Sequence, residues 1–506
     1  MQKIYRSIFL LLIFLSPSTA FAQVPVNDKL FNWLKSNISP QTGLPYSFYI
    51  KEENKQKIFA VTGDEDSPNS IIERVILNEG LVIYDGAVSQ MALLLKGDEE
   101  SLRLAHKPVD IYWDGTLHEL HSIRAGYPHG QFMYDPARPE DVSSRSKDKG
   151  TRGFIFRIIN ANGKYFSKDP LDGKLYADNF PLMPRIHWED WKPVAGENAW
   201  VVMAALQLFH RQYYDLYWGR YFYDEKPVEL LLSEELARAA LFLQADNGAI
   251  RMAPLNTYRE ALLGESGDPG TWWYNQISTE NNISWYAAFR MLYEITGEDI
   301  YREAMNGIEG YLKSVYSIER KMFYQGARYE DGEWIINEDP FALDVQTWVV
   351  ACLGPSVIDE WFGEGASYAI LNKALQESGA YDASGRIMGV GFTSEHDRVS
   401  VEWSAGAVLA LREAAAFYRF TKKEWAVWAE DNAKALREGV ESLRQDIGES
   451  QAAYAYSSRR GWIPFGWYSH GPDVLSTAST GWIIFNDTGF NPFVLENRTR
   501  SLATQD

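Results

Sequence analysis

One cysteine stands among 506 residues. Cys352 has no partner for an internal disulfide, so the fold cannot depend on oxidation. It lies in the apolar run Trp348-Val-Val-Ala-Cys-Leu353, where it reads as a buried structural thiol. Histidine is also scarce, with eight scattered residues. There is no His-Glu-x-x-His and no cysteine cluster, which excludes the common zinc patterns. Asp64-Glu-Asp66 with Asn69 and Glu73 lacks the glycine and the spacing of a calcium loop and reads as a solvated acidic loop. No metal and no cofactor are expected. A Gly-x-Ser-x-Gly elbow is missing. The glycine-rich stretch Gly385–Asp397 is not set between a strand and a helix in the way a phosphate cradle requires. Basic side chains are few: 49 Lys and Arg against 68 Asp and Glu, a net charge of −19. That balance repels nucleic acid and acidic polymers and leaves a neutral ligand as the easier fit.

Long hydrophobic runs are missing as well, apart from one short one. A basic start, the apolar stretch Ile8 to Leu15 and Ala20-Phe21-Ala22 predict a signal peptide over residues 1–22, cut before Gln23. The run is too short to span a bilayer. Cleavage removes Lys3 and Arg6 but no acid, leaving a net charge of −21. The expectation is a periplasmic or secreted protein with no membrane insertion after processing. What the chain has in abundance is aromatic area: 18 Trp, 29 Tyr and 25 Phe, many in stretches that read as loops. Aromatic rings in loops suit ligand contact more than core filling.

The chain is organised around one repeated layout, clearest at Ser278-Thr-Glu280-Asn-Asn-Ile-Ser-Trp-Tyr-Ala-Ala-Phe289. A Ser/Thr pair precedes an acid, and small and apolar residues follow, as at the capped start of a buried helix. The same layout begins at Asp85, Glu197, Asp344 and Glu402, and at Thr477 without the acid. Helices apolar on nearly all faces must be covered from outside. Amphipathic partners lie between them, over Ile300–Val315 and Trp425–Leu443. Tyr293-x-x-Thr296 before Ala304 matches Tyr418-x-x-Thr421 before Ala429, the self-similarity of a helical-hairpin repeat. Six buried and six covering helices predict an all-α-dominated (α/α)6 barrel, a closed toroid, as a single domain over residues 23–506. Its inner helices would begin on one face and gather five carboxylates there.

Within that frame, Asn27–Ser36 reads as an entry helix. Residues 99–190 read as an irregular, partly β insertion, with a hairpin at Val109–Leu117 and a strand over Phe154–Asn160. The insertion ends in His187-Trp188-Glu-Asp-Trp191, a polar-aromatic cluster. Arg328–Asn337 reads as a hairpin, Trp462–His470 as an aromatic loop, and Gly489-Phe-Asn-Pro-Phe493 as the ring closure.

Two carboxyls flanking a glycosidic bond are sufficient to hydrolyse it: one protonates the leaving oxygen, the other activates water or attacks the sugar. Glu280 is expected as acid and Glu402 as base. Tyr84, Asp85, Glu197 and Asp344 are expected to bind substrate or water. Trp188, Trp191, Trp272, Trp273, Trp403 and Trp467 offer flat faces for sugar rings. The competing reading is that each acid only caps its helix, contributing about 0.5–2 kcal/mol.

Tyr84-Asp85, Gly196-Glu197-Asn-Ala-Trp200, Ser278-Thr-Glu280-Asn-Asn282, Leu343-Asp344-Val-Gln-Thr-Trp348, Val401-Glu402-Trp403 and Gly489–Phe493 together resemble bacterial (α/α)6-barrel proteins related to glycoside hydrolases. These are the glucoamylase-like and endoglucanase-like toroids. The resemblance implies inverting hydrolysis with acid and base at the inner-helix mouth, here of a neutral, glucan-like polysaccharide or oligosaccharide. The same scaffold carries polysaccharide lyases and sugar epimerases, for which Tyr84 and the His187 and His396 loops would supply a base. A non-catalytic periplasmic glycan-binding or assembly protein is the third reading.

Overall fold

The computed structural model describes residues 28–62, 68–114, 133–134, 154–155, 157–162, 167–168, 175–176, 194–254 and 271–495. Its helices in chain order are α1 (Asp28–Ser36), α2 (Glu52–Ala60), α3 (Pro68–Glu79), α4 (Ile83–Lys96), α5 (Glu99–Asp114), α6 (Ala195–Tyr213), α7 (Val228–Leu241) and α8 (Thr279–Thr296). They continue as α9 (Asp299–Ser314), α10 (Leu343–Leu353), α11 (Pro355–Phe362), α12 (Ala366–Ser378), α13 (Val401–Tyr418), α14 (Lys423–Gly439) and α15 (Thr477–Thr488).

Six of these form a closed inner ring. α4 packs on α6, α6 on α8, α8 on α10, α10 on α13, α13 on α15, and α15 returns to α4. Every residue of α6 from Asn198 to His210 is buried, as an all-round apolar helix requires. The outer layer is α5 on α4, α7 on α6, α9 on α8, α12 on α10 and α14 on α13, with α1 against α15 and α4. The outer helices are amphipathic. In α9 only Tyr301, Ala304, Ile308, Tyr311 and Leu312 are buried, a stripe at helical spacing. Burying Ile308 and Leu312 contributes about 1.5–3 kcal/mol each. The toroid expected from the repeats is therefore the fold, and no described helix is long and apolar enough to cross a membrane.

One local device sets the ring. The first amide of each inner helix donates to a carbonyl in the segment that feeds the next inner helix. The six bonds are Ile83 to Arg157 (3.0 Å), Ala195 to Met252 (2.8 Å), Thr279 to Gln325 (2.9 Å), Leu343 to Phe392 (3.3 Å), Val401 to Tyr456 (3.4 Å) and Thr477 to Ser47 (2.9 Å). A helix cannot satisfy its own first amides, so a neighbour's carbonyl there is stabilising and also fixes the helix height. Position 4 of the helix makes a second clamp. Asn282 accepts from the Ile250 amide (2.7 Å) and donates to the Ile250 carbonyl (3.0 Å). Asn198 does the same with Ile155, and Gln346 with Phe323. Ser404 and Thr480 accept from Val390 and Tyr454.

Position 6 builds the floor of the bore. α6, α10 and α15 place Trp200, Trp348 and Trp482 there, while α4, α8 and α13 place Val88, Ser284 and Gly406. Large and small residues alternate around the ring, which lets three indoles meet. Their centroids are 5.1 Å (Trp200–Trp348), 5.7 Å (Trp348–Trp482) and 5.9 Å (Trp200–Trp482) apart. Phe493, from the closing loop, packs on all three.

One part of the expected insertion is corrected. Residues 99–114 are helix α5, not irregular chain, and there is no strand at Val109–Asp114. Pro108 inside the helix disguises it, but Leu104, Ala105, Val109 and Tyr112 form one buried face against the inner ring. Phe154–Ile155 and Ile158–Asn160 are strands, and Gly326–Glu330 pairs with Glu333–Asn337 as a hairpin. Trp462–His470 is itself built on a short hairpin, Gly461–Ile463 with Trp467–Ser469.

Candidate active site at the ring mouth

Counting from the first helical residue, the acids occupy position 2 in α8, α10 and α13 (Glu280, Asp344, Glu402) and position 3 in α4 and α6 (Asp85, Glu197). α15 has Ala478 and Ser479 there. With all six starts at one height, the carboxyls form an arc with a gap at α15. Their mutual charge effects run mostly between ring neighbours: Asp85 feels Glu197, Glu280 feels Asp344 and Glu197 and, least, Glu402 one helix further on, Asp344 feels Glu402, and Glu402 feels Asp85.

Capping does not explain the arrangement. Ser278, Ser400 and Ser476 accept from the amides of Asn281, Trp403 and Ser479 and so cap α8, α13 and α15 themselves. Glu280 and Glu402 are released from that role. Glu280 accepts from the Ser284 hydroxyl (3.0 Å), and Glu402 from the Tyr84 hydroxyl (2.6 Å). Only Asp344 takes an amide of its own helix, that of Val345 at 2.8 Å.

The electrostatics are those of a crowded, poorly hydrated set of acids. Burial pushes Asp85 up to about 7, against a hydrogen bond from Ser47 and the charge of Arg157. Asp344 also rises to about 7, from burial and then from Glu402, with the Val345 amide opposing. Glu402 reaches about 8 through burial, the Tyr84 hydroxyl opposing and Asp85 adding. Glu280 is held well above the ordinary carboxylate range by burial, then by Asp344 and Glu197. Glu197 lies 2.7 Å from the Arg157 guanidinium. Asp85 and Glu402 are each 6% exposed, whereas Glu197, Glu280 and Asp344 are half-buried and more open to the basin. Among the described residues no group of three or more His, Cys, Asp or Glu side chains is arranged to hold a metal ion.

Of the aromatic candidates, Trp272 and Trp273 meet edge to face (4.5 Å) just ahead of the strand Gln276–Ser278, which runs into Glu280. Trp272 is 37% exposed. Trp467 is half-buried and donates to the Tyr456 hydroxyl (2.9 Å). Trp403 is buried at position 3 of α13 against Phe392 and Phe465, so it supports the wall rather than offering a face to ligand. Tyr84 is engaged on both sides, accepting from Trp482 and donating to Glu402. Trp188 and Trp191 lie outside the described residues, as do His187 and Asp64–Asp66. His396 is tied to the Gly379 carbonyl at 2.9 Å. Glu73 is taken by Arg460 at 2.9 and 3.1 Å. Its neighbour His470 lies 3.6 Å away, but burial and Arg460 lower that imidazole to about 3, so the contact is not an ion pair at neutral pH.

Sequence reasoning missed Arg157, Tyr456 and Trp482. Arg157 is the one cation felt by Asp85 among the described residues, and it interrupts the otherwise apolar run Phe154-Ile-Phe-Arg-Ile-Ile159, which is a signal. Tyr456 stands close enough to Glu402 and Asp85 for their charges to help raise it above the usual tyrosine range, after burial. Nothing in its local sequence announces that.

No protein-family model matches the sequence, and no curated protein sequence matches it as a relative. Among solved structures, a sugar epimerase from a ruminal bacterium superposes with a TM-score of 0.52 at 10% identity, over 92% of this chain and 96% of that one. A cellobiose 2-epimerase from Spirochaeta thermophila gives 0.52 at 11% identity, over 92% and 94%. A D-mannose isomerase gives 0.50 at 9%, over 91% and 95%. At such low identity the likeness concerns the fold, and the fold is the (α/α)6 toroid.

Proposed function

We propose that the chain is an exported glycoside hydrolase acting on a neutral, glucan-like polysaccharide or oligosaccharide. The observation that carries this reading is the gathering of five carboxyls at one mouth, with Ser278 and Ser400 capping α8 and α13 in place of Glu280 and Glu402. Glu280 is the acid: it keeps its proton and gives it to the glycosidic oxygen as the carbon–oxygen bond breaks. Glu402 is the base: it takes a proton from water as the water oxygen bonds to the anomeric carbon. Inversion is the course that the resemblance to the (α/α)6 hydrolases implies, with Glu402 activating the water directly. Asp344, between them, together with Asp85 and Glu197, holds substrate hydroxyls, and Trp272 offers a sugar-binding face. The negative surface suits an uncharged glycan.

The test is digestion of a panel of glycans by the mature protein, read by mass spectrometry, which also reports whether the chain begins at Gln23. Glu280→Gln and Glu402→Gln are expected to lose roughly 10²–10⁴-fold in rate. In the wild type the rate climbs as pH rises through about 8, because Glu402 must be ionised while Glu280 is not. Full activity in both variants sinks the assignment.

A second reading is favoured by one observation: Asp85 and Asp344 both sit at about 7, matched for giving and taking a proton reversibly at neutral pH. That suits an epimerase or isomerase. Deuterium uptake from heavy water into an unhydrolysed sugar selects it over hydrolysis.

A further inference from the structure

We infer that Tyr84 and Trp482 are positioning residues that turn Glu402 into a one-sided carboxyl, with Oε1 locked as a hydrogen-bond acceptor and Oε2 alone left for the proton that moves. This rests on Glu402 being the reactive carboxyl of the proposed function, and adds which oxygen acts and what aims it.

The argument is a count of protons along a short chain. The Trp482 indole nitrogen lies 2.6 Å from the Tyr84 hydroxyl oxygen, and an indole N–H can only donate. Tyr84 therefore accepts there. Its single proton remains, and the hydroxyl lies 2.6 Å from Glu402 Oε1. If Oε1 carried a proton and donated it, the tyrosine would accept twice and its own proton would have no partner in a buried place, at a cost of about 1–3 kcal/mol. The direction is thus set from tryptophan to tyrosine to glutamate. Packing holds it. The Tyr84 ring meets Trp200 edge to face at 4.8 Å and 90°, and Trp482 stacks on Trp348 in the floor of the bore. The hydroxyl cannot swing away without breaking the indole cluster.

The groups facing Glu402 leave Tyr84 as the neutral donor among acids. From α4 come Tyr84 and Asp85, from α8 Glu280, from α10 Asp344, and from the segment before α15 the phenol of Tyr456. α15 contributes Trp482 and no charge. Arg157 acts on Asp85 and Tyr456. The Tyr84 hydrogen bond is what favours the ionised form of Glu402 against burial and like charge. The floor of the bore is thereby coupled to the chemistry above it.

The experiment titrates the Glu402 carboxyl in the whole protein by carbon-13 NMR with labelled glutamate, its resonance assigned through Glu402→Gln. Tyr84→Phe keeps the ring and removes the hydroxyl. It is expected to move the Glu402 midpoint up by about one pH unit, the size expected for one hydrogen bond to a charged group. Trp482→Phe, which frees the tyrosine from its donor, moves it in the same direction by less. A purely structural role would change thermal stability and leave the midpoint in place, so an unmoved midpoint in a folded Tyr84→Phe protein overturns the inference. Should that variant fail to fold, Trp482→Phe decides on the same readout. The titration needs no turnover, so it stands even if no glycan is cleaved. Where one is, the ascending limb of the pH–rate profile, which follows ionisation of Glu402, shifts with the NMR midpoint.

Discussion

Gly196 shows how much a single residue decides at this mouth. A methyl group placed on it would lie 2.1 Å from the Asn281 side-chain oxygen and 2.4 Å from its Cγ. The closeness of α6 and α8, and with it the spacing of Glu197 and Glu280, depends on that missing side chain. Gly196→Ala is expected to destabilise the protein by about 1–3 kcal/mol, the usual cost of overpacking, read from the urea midpoint. Adding Asn281→Ala removes the obstacle, so the double variant should recover part of the loss. Strict additivity in that cycle would mean the two residues do not meet. Cys352 is the opposite case. Its thiol is buried, lies 3.6 Å from the Ile283 carbonyl and is pushed up to about 11, which fits an inert core residue.

At the scale of the element, the inner helices share one frame: an amide held by the next segment at position 1 in all six, an acid at 2 or 3 in all but α15, a polar clamp at 4 in all but α4, which has Gly86 there, and a large or small residue at 6. The acids were legible because the start of an apolar helix is a local pattern. The clamps were legible in principle, since Asn198, Asn282, Gln346, Ser404 and Thr480 recur at one offset, but their purpose is not. Each reaches backbone that local sequence cannot place beside it. Gln346→Ala strands both the amide and the carbonyl of Phe323 in the core and should cost about 3 kcal/mol in urea unfolding. A cost under about 0.5 kcal/mol would show the clamp to be incidental. Helix α5 escaped detection for a related reason: Pro108 is a strong local breaker, and packing against α4 overrides it.

At the scale of the whole molecule, gathering acids has a thermodynamic consequence. Asp85 and Asp344 rise from 3.8 to about 7, and Glu402 from 4.5 to about 8, so the folded chain binds protons more tightly than the unfolded one. The stability tied to those protons is complete below about pH 4 and is lost as pH rises through 7 and 8. His470 works in the other direction, but only between about 3 and 6.5. Above 6.5 the carboxyls act alone. The thermal midpoint should therefore fall from pH 6.5 to 8, by an amount equivalent to about 3 kcal/mol, and Glu402→Gln should flatten the slope. A midpoint that rises over that interval would contradict the buried, crowded ring.

The sequence by itself determined the six inner helices, the acids at five of their starts and the toroid that unites them, because each depends on residues a few positions apart. Only the tertiary structure decided which partner each acid meets. Tyr84 and Glu402 are 318 residues apart, and Trp482 and Tyr84 are 398 apart, yet they form one line of hydrogen bonds. Ring closure brings the two ends of the chain together, and no local pattern encodes which side chains then face each other. Burial, not composition, is also what raises these carboxyls, and burial is a property of the assembled ring.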